Sequence, residues 1–129
     1  MLKLNQHFPK GIILVFLKFC NTYLIIFINK KKTIDLKLTL GVIYNNKSTK
    51  GGGQILICVD GDGWYQEEGK EARKLKPGDI VVIPANVKHW HGATASSWFS
   101  HIAVEVPGEN TSNEWCEKVT DEEYNKLPE

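Results

Sequence analysis

The sequence predicts an all-β fold, a barrel or sandwich of short strands followed by one short helix. Short apolar and β-branched segments alternate with turns that contain glycine and proline throughout residues 54–106, which is typical of such folds. Residues 33–44 form another predicted strand, because apolar side chains occupy every second position from Ile34 to Val42. Thr120 and Glu123 have capping-box spacing at the start of a predicted helix over residues 121–127. A chain of 129 residues, 42% hydrophobic and 24% charged, suffices for one globular core.

Charge and composition divide the chain near Lys47. Residues 1–50 carry nine lysines and one acidic residue, whereas residues 51–129 carry seven basic and fourteen acidic residues and all four tryptophans. We therefore predict an atypical N-terminal segment over residues 1–46 and a β domain over residues 47–129. The net charge of +1 gives no indication of nucleic acid binding, so no nucleic acid partner is expected.

The three cysteines indicate a reducing environment. Cys20, Cys58 and Cys116 are widely spaced and include no C-x-x-C pair, so a disulfide scaffold is not expected. Cys58 lies in a predicted strand, where a buried thiol packs like a small apolar residue. This pattern predicts a cytoplasmic protein.

The apolar run over residues 11–28 leaves three interpretations open. It approaches the length of a membrane anchor, and Lys30, Lys31 and Lys32 would then be a cytoplasmic flank. A signal peptide fits less well, because these lysines stand where small residues of a cleavage site are expected. The third interpretation is a buried strand or helix of the folded domain, which the short length and Lys18 inside the run favour over an anchor.

The second part of the chain predicts strands joined by tight turns. Residues 54–59 form an apolar strand, and the glycines of residues 60–63 suit a hairpin turn into a strand over 64–67. A turn at 68–70 leads to a short strand over 72–75. Pro77 and Gly78 then turn the chain into a β-branched strand over 80–83, which Pro84 ends. Residues 88–91 and 98–106 complete the predicted set.

Two motifs in this part resemble the cupin superfamily. Gln54 with a glycine seven positions later is similar to the end of the first cupin motif, with glutamine where glutamate is usual. Gly78, Pro84 and His89 match the second motif, Gly-x5-Pro-x-Gly-x2-His, with Asn86 in place of its inner glycine. Longer blocks of the sequence resemble a subgroup of small single-domain bacterial cupins of the type-2 kind. Members of this subgroup often accompany, or are fused to, carboxymuconolactone-decarboxylase-like proteins. The blocks are residues 50–54, 63–69, 84–93, 98–103, 106–110 and 113–115.

The resemblance implies a jelly-roll barrel with a metal site of four side chains. These are two histidines of an H-x-H pair, the glutamine and the second-motif histidine, a set that suits Mn, Fe, Ni, Cu or Zn. Gln54 and His89 match two of the four positions, whereas the H-x-H positions, aligned without gaps, hold Tyr44 and Asn46. The expectation is therefore either a divalent transition metal bound through Gln54 and His89 or a barrel without metal. Residues 1–46 are either native to the fold or the product of a disrupted reading frame or a mistaken start.

His91 and His101 are the candidate catalytic residues, for acid–base chemistry or substrate binding. His91 shares a strand face with His89, because side chains at positions i and i+2 of a strand point the same way. His101 lies in the last strong strand and is expected to reach the same cavity. The structural alternative is a hydrogen-bonded core histidine at both positions and, for Gln54, a hydrogen bond to the backbone.

The resemblance implies a cupin that binds a small molecule. As an enzyme it would be a metal-dependent isomerase, decarboxylase or oxygenase acting on a small polar or carboxylate compound. The alternative is a degenerate, metal-free cupin that serves as a binding or partner module, which the missing H-x-H pair favours. A homodimer is expected, and tethering to a membrane through residues 11–28 is the less favoured alternative. The fold by itself does not select a substrate or a reaction.

Overall fold

The computed structural model describes residues 12–19, 22–29 and 42–128, with side chains described from residue 45 onward. This part of the chain forms strands and one short helix, so the predicted all-β fold with a C-terminal helix is confirmed. The elements are β1 (Ile12–Phe19), β2 (Thr22–Asn29), β3 (Val42–Lys47), β4 (Lys50–Gly51), β5 (Gly53–Gly61), β6 (Gly63–Glu67), β7 (Arg73–Leu75), β8 (Ile80–Pro84), β9 (Lys88–Ala93), β10 (Phe99–Glu105), β11 (Gly108–Glu109), β12 (Ser112–Lys118) and α1 (Asp121–Tyr124).

Two five-stranded antiparallel sheets enclose the core. The first has the order β1-β2-β10-β5-β8 and the second the order β12-β3-β9-β6-β7, while β4 and β11 form a separate two-stranded ladder. Leu56 and Phe99 of the first sheet and Tyr65 and Leu75 of the second belong to one buried cluster, so the core lies between the sheets. Cys58 lies in this core as a free thiol. From β5 to β12 the chain passes several times from one sheet to the other, as in a jelly roll.

Residues 60–63 form a corner between the sheets, and the predicted hairpin turn is wrong. β5 pairs with β10 and β8, whereas β6 pairs with β7 and β9. Gly61 has a φ of +74°, and a Cβ at this position would lie 1.9 Å from the Trp98 carbonyl oxygen, so a glycine is required. The predicted turn at residues 68–70 does join paired strands, since β6 and β7 are antiparallel neighbours.

The capping box predicted for the C-terminal helix is present. The Thr120 side chain accepts a hydrogen bond from the Glu123 backbone N–H, and the Glu123 side chain accepts one from the Thr120 backbone N–H. The helix ends at Tyr124, earlier than the predicted residue 127. A single turn is therefore sufficient to close the outer face of the second sheet.

Tyr124 anchors this helix to the sheet. Its ring packs with Trp64 and Trp90, and its hydroxyl donates a 2.6 Å hydrogen bond to the Ala93 carbonyl. Both tryptophans are 4% exposed, whereas Trp98 is 38% exposed. Two of the four tryptophans thus form a second apolar cluster outside the barrel.

The N-terminal apolar run forms two strands. β1 pairs with β2 from end to end, and β2 pairs with β10, which adds both strands to the first sheet. This agrees with the strand interpretation of the run. No helix within the described ranges is both long and apolar enough to cross a membrane. Most of the strand predicted over residues 33–44 lies outside the described residues, and its last part falls in β3, which begins at Val42. The domain boundary at residue 47 stays a prediction.

Candidate functional site

Three histidines meet inside the barrel. His89 and His91 lie two residues apart on β9 of the second sheet, and His101 lies on β10 of the first sheet. The ring centroids of His91 and His101 are 4.5 Å apart in an edge-on arrangement, and those of His89 and His91 are 6.1 Å apart. The structure therefore brings together three of the four residues that the sequence singles out.

Aromatic side chains hold both ends of this histidine cluster. Phe99 stacks on His101 with a centroid distance of 4.9 Å, and Tyr65 lies tilted against His89 at 5.9 Å. Phe99 and His101 are on one face of β10 because they are two residues apart. The cluster thus continues the apolar core, with His89 and His101 almost fully buried and His91 half-buried.

Burial keeps the three imidazoles neutral. Burial lowers the pKa of His101 to about 3. It also lowers the pKa of His91 well below its usual range, and the neighbouring His101 and His89 lower it further. The pKa of His89 is lowered by burial, which the Val87 carbonyl and the Glu67 carboxylate partly offset. At neutral pH each ring is therefore uncharged, with one N–H group and one nitrogen lone pair.

The tautomer of His89 follows from its hydrogen bond. Its Nδ1 lies 2.8 Å from the Val87 carbonyl oxygen. Because a carbonyl only accepts, Nδ1 of the neutral ring carries the proton and Nε2 carries the lone pair. Metal-binding histidines are oriented by the same kind of bond, so His89 by itself is compatible with a ligand role.

Gln54 belongs to a second polar group, around Glu105. Gln54 is 1% exposed, and its Nε2 donates a 2.7 Å hydrogen bond to Oε1 of Glu105. Asn46 Nδ2 donates to the other carboxylate oxygen at 2.8 Å and to Asn113 Oδ1 at 2.9 Å. Burial raises the pKa of Glu105, and the amide side chains around its carboxylate, Gln54 first, partly offset this effect.

The buried carbonyl of Asn46 is available to a bound molecule. Asn46 is 4% exposed, and its Oδ1 has no hydrogen-bond partner among the described residues. A buried acceptor without a partner is costly, so an N–H or O–H group supplied by a ligand or a water would stabilise it. The sequence motifs did not single out this residue as a binding group, although it occupies the second H-x-H position.

The side chains present do not fit the metal site that the sequence implies. Within the described part of the chain, no group of three or more His, Cys, Asp or Glu is placed to hold a metal ion. Asn46 offers an amide oxygen where the pattern expects an imidazole, and Glu105 holds the N–H groups of both Gln54 and Asn46. His89 is then the one imidazole left of the three in the expected ligand set. One imidazole is not enough for a transition metal that prefers nitrogen ligands. Tyr44 pairs with His89 in the ladder, and its side chain lies outside those described.

Comparison with known proteins identifies the family. Residues 46–102 match the Cupin_2 family, described as a cupin domain. A cupin-like protein from Thermotoga maritima msb8 is 37% identical, superposes with a TM-score of 0.64, and the match covers 82% of this chain and 72% of that one. The chain belongs to the cupin superfamily. Its fold is thus shared with other cupins.

Two further cupin relatives have more specific names. The (R)-mandelonitrile lyase of Granulicella tundricola is 39% identical over 74 residues, which are 57% of this chain and 56% of that protein. This cupin therefore spans about half the length of that curated relative. The crystal structure of cobalt(II) HppE is 15% identical with a TM-score of 0.55, covers 73% of this chain and 52% of its own, and shows a shared fold alone.

Proposed function

We propose that this cupin binds a small polar or carboxylate compound beside His91 and His101, and that these two rings exchange a proton with it. The observation that carries the proposal is the cluster of three neutral imidazoles in an apolar core. Each ring offers one lone pair and one N–H group to a bound molecule. Burial makes both rings weak bases in the empty site, and an anionic ligand beside them would raise their pKa values. His91 is the less buried of the two residues.

The curated relative suggests a class of reaction to test. Its name describes a lyase for (R)-mandelonitrile. In such a cleavage a base removes the hydroxyl proton, the bond to the nitrile carbon breaks, and its electron pair leaves with cyanide. The proton then passes to cyanide, so the products are benzaldehyde and hydrogen cyanide. His91 and His101 supply the base and the returning acid, and Asn46 Oδ1 supplies an acceptor for a ligand donor.

Benzaldehyde release from (R)-mandelonitrile, together with calorimetric binding of mandelate, tests this proposal. We expect the wild-type protein to bind mandelate. If it also cleaves (R)-mandelonitrile, the rate should fall about 100-fold in His101→Ala and in His91→Ala. Glu68→Gln, at an exposed turn, is the control and should match the wild type. Binding of mandelate without turnover favours the binding-module alternative. Absence of both binding and turnover would show that the proposal is wrong.

The second candidate function is a metal-dependent isomerase, decarboxylase or oxygenase. The orientation of His89 by the Val87 carbonyl favours it, because this bond leaves Nε2 able to ligate. The cobalt form of HppE shows that a protein of this fold holds a transition metal. Turnover that depends on added Mn²⁺, Fe²⁺, Ni²⁺ or Zn²⁺ and is lost in His89→Ala would support this candidate over the first. Turnover that persists with excess EDTA would count against it.

We also propose that the protein is a cytoplasmic homodimer of the subgroup that accompanies carboxymuconolactone-decarboxylase-like proteins. The outer face of the first sheet supports self-association, because Ile80 and Val82 on β8 are 57% and 69% exposed beside apolar neighbours on β5. Light scattering of the purified protein tests the dimer. Loss of the dimer in Val82→Lys, with an unchanged thermal midpoint, would assign it to this face.

A further inference from the structure

Glu105 joins the two sheets of the barrel through amide side chains. It lies at the end of β10, and Gln54 lies beside it on β5 of the same sheet. Asn46 and Asn113 lie on β3 and β12 of the opposite sheet, where they are register partners. The hydrogen bonds to both carboxylate oxygens, at 2.7 and 2.8 Å, therefore connect three strands through one side chain, and the bond from Asn46 to Asn113 adds a fourth strand.

The N–H groups that surround the Glu105 carboxylate suit an anion and not a cation. A metal ion collects lone pairs from the side chains around it, whereas a carboxylate collects N–H donors. Gln54 and Asn46 occupy two of the four positions at which the cupin pattern places ligands, yet both direct N–H groups at Glu105. The same two positions are thus cross-linked here by an anion.

We propose that the Glu105 carboxylate cross-links the sheets at the place where metal-holding cupins use a metal ion, so that this chain folds and keeps its histidine cluster without metal. The proposal does not depend on the ligand or the reaction proposed above. Hydrogen bonds to a charged acceptor are stronger than those between neutral groups, and loss of such an acceptor leaves several donors without a partner. Glu105 is therefore a positioning residue for Gln54 and Asn46, not a residue that contacts the ligand.

The first experiment measures metal content and thermal unfolding of the purified wild-type protein. After dialysis against Mn²⁺, Ni²⁺ or Zn²⁺ followed by buffer, we expect far less than one metal ion per chain. The thermal midpoint should be the same with and without excess EDTA, because no metal contributes to the folded state. One metal ion per chain, together with a midpoint that EDTA lowers, would overturn the proposal.

The second experiment compares variants at Glu105. Glu105→Leu leaves the Gln54 and Asn46 amides without this acceptor, and we expect the thermal midpoint of the variant to fall by roughly 5–10 °C. The thermal midpoint of Glu105→Gln should fall less, because the amide oxygen of the new side chain still accepts one hydrogen bond and the Gln54 amide can rotate to accept another. Glu109→Leu, an exposed position on the neighbouring β11, is the control and should stay within about 2 °C of the wild type.

Each outcome of this comparison decides the proposal. A Glu105→Leu protein as stable as the wild type would show that the carboxylate does not hold the sheets together. If Glu105→Leu is insoluble, the Glu105→Gln midpoint and the EDTA measurement carry the test. A Glu105→Gln protein that gains stability would then contradict the proposed role.

Discussion

Replacement of His101 by phenylalanine should remove a defined part of the acid sensitivity of this protein. His101 is 3% exposed, and burial lowers its pKa from 6.5 to about 3. Below pH 6.5 the unfolded chain therefore binds a proton at this residue while the folded chain does not. The contribution of the neutral His101 ring to stability is present above the pKa of the unfolded chain, and it is lost as the pH falls toward the pKa of the folded chain. The loss approaches about 1.4 kcal/mol per pH unit and amounts to about 2.3 kcal/mol between pH 6.5 and about pH 4.5.

Urea unfolding at a series of pH values measures this effect. Phenylalanine has a similar size and stays apolar next to Phe99, so the variant should fold. Glu105 has a raised pKa and acts with the opposite sign, since its contribution is present at low pH and is lost as the pH rises through that pKa. This contribution occurs in both proteins and cancels in the difference. Between pH 6.5 and about pH 4.5, the free energy of unfolding of the wild type should fall by about 2.3 kcal/mol more than that of His101→Phe. Parallel curves would refute the assignment of His101 as a buried neutral ring.

Three further predictions concern the frame that positions the site. Tyr124→Phe removes the hydroxyl that donates to the Ala93 carbonyl, and the free energy of unfolding in urea should fall by about 1–1.5 kcal/mol; an unchanged midpoint would mean that the bond adds nothing. Gly61→Ala should prevent folding or lower the free energy of unfolding by more than about 3 kcal/mol, because a Cβ would overlap the backbone. Gly78→Ala has a similar φ and open space around the Cβ, so it should cost only about 1 kcal/mol. Equal losses in the two variants would contradict the steric argument. Thr120→Ala removes the helix cap and should cost about 1 kcal/mol in the same assay, and a loss below a few tenths would show that the cap is not needed.

Local patterns predicted the elements of this fold well. The apolar run over residues 54–59 predicted the strand β5, and the spacing of Thr120 and Glu123 located the helix. Each of these two signals is confined to a few consecutive residues, so it can be interpreted without knowing which strands pair. The pairing of His89 with His91 followed from the period of two along a strand.

Long-range pairing was the part that the sequence did not reveal. Glu105 follows His101 at the same period of two on β10, a signal that could have marked it as facing inward. Its amide partners are separated from it by 51 and 59 positions for Gln54 and Asn46, so their meeting depends on which strands are neighbours. The wrong turn at residues 60–63 has the same origin, because glycines suit a corner between sheets as well as a hairpin.

Nitrogen-detected NMR of the imidazole rings tests the central claim most directly, namely that neutral histidines form the binding site. At neutral pH we expect His89, His91 and His101 to be uncharged, with His89 protonated on Nδ1, and we expect the His91 and His101 signals to shift when mandelate is added. Charged imidazole signals for His91 or His101 at neutral pH, or signals that do not respond to mandelate, would contradict the account.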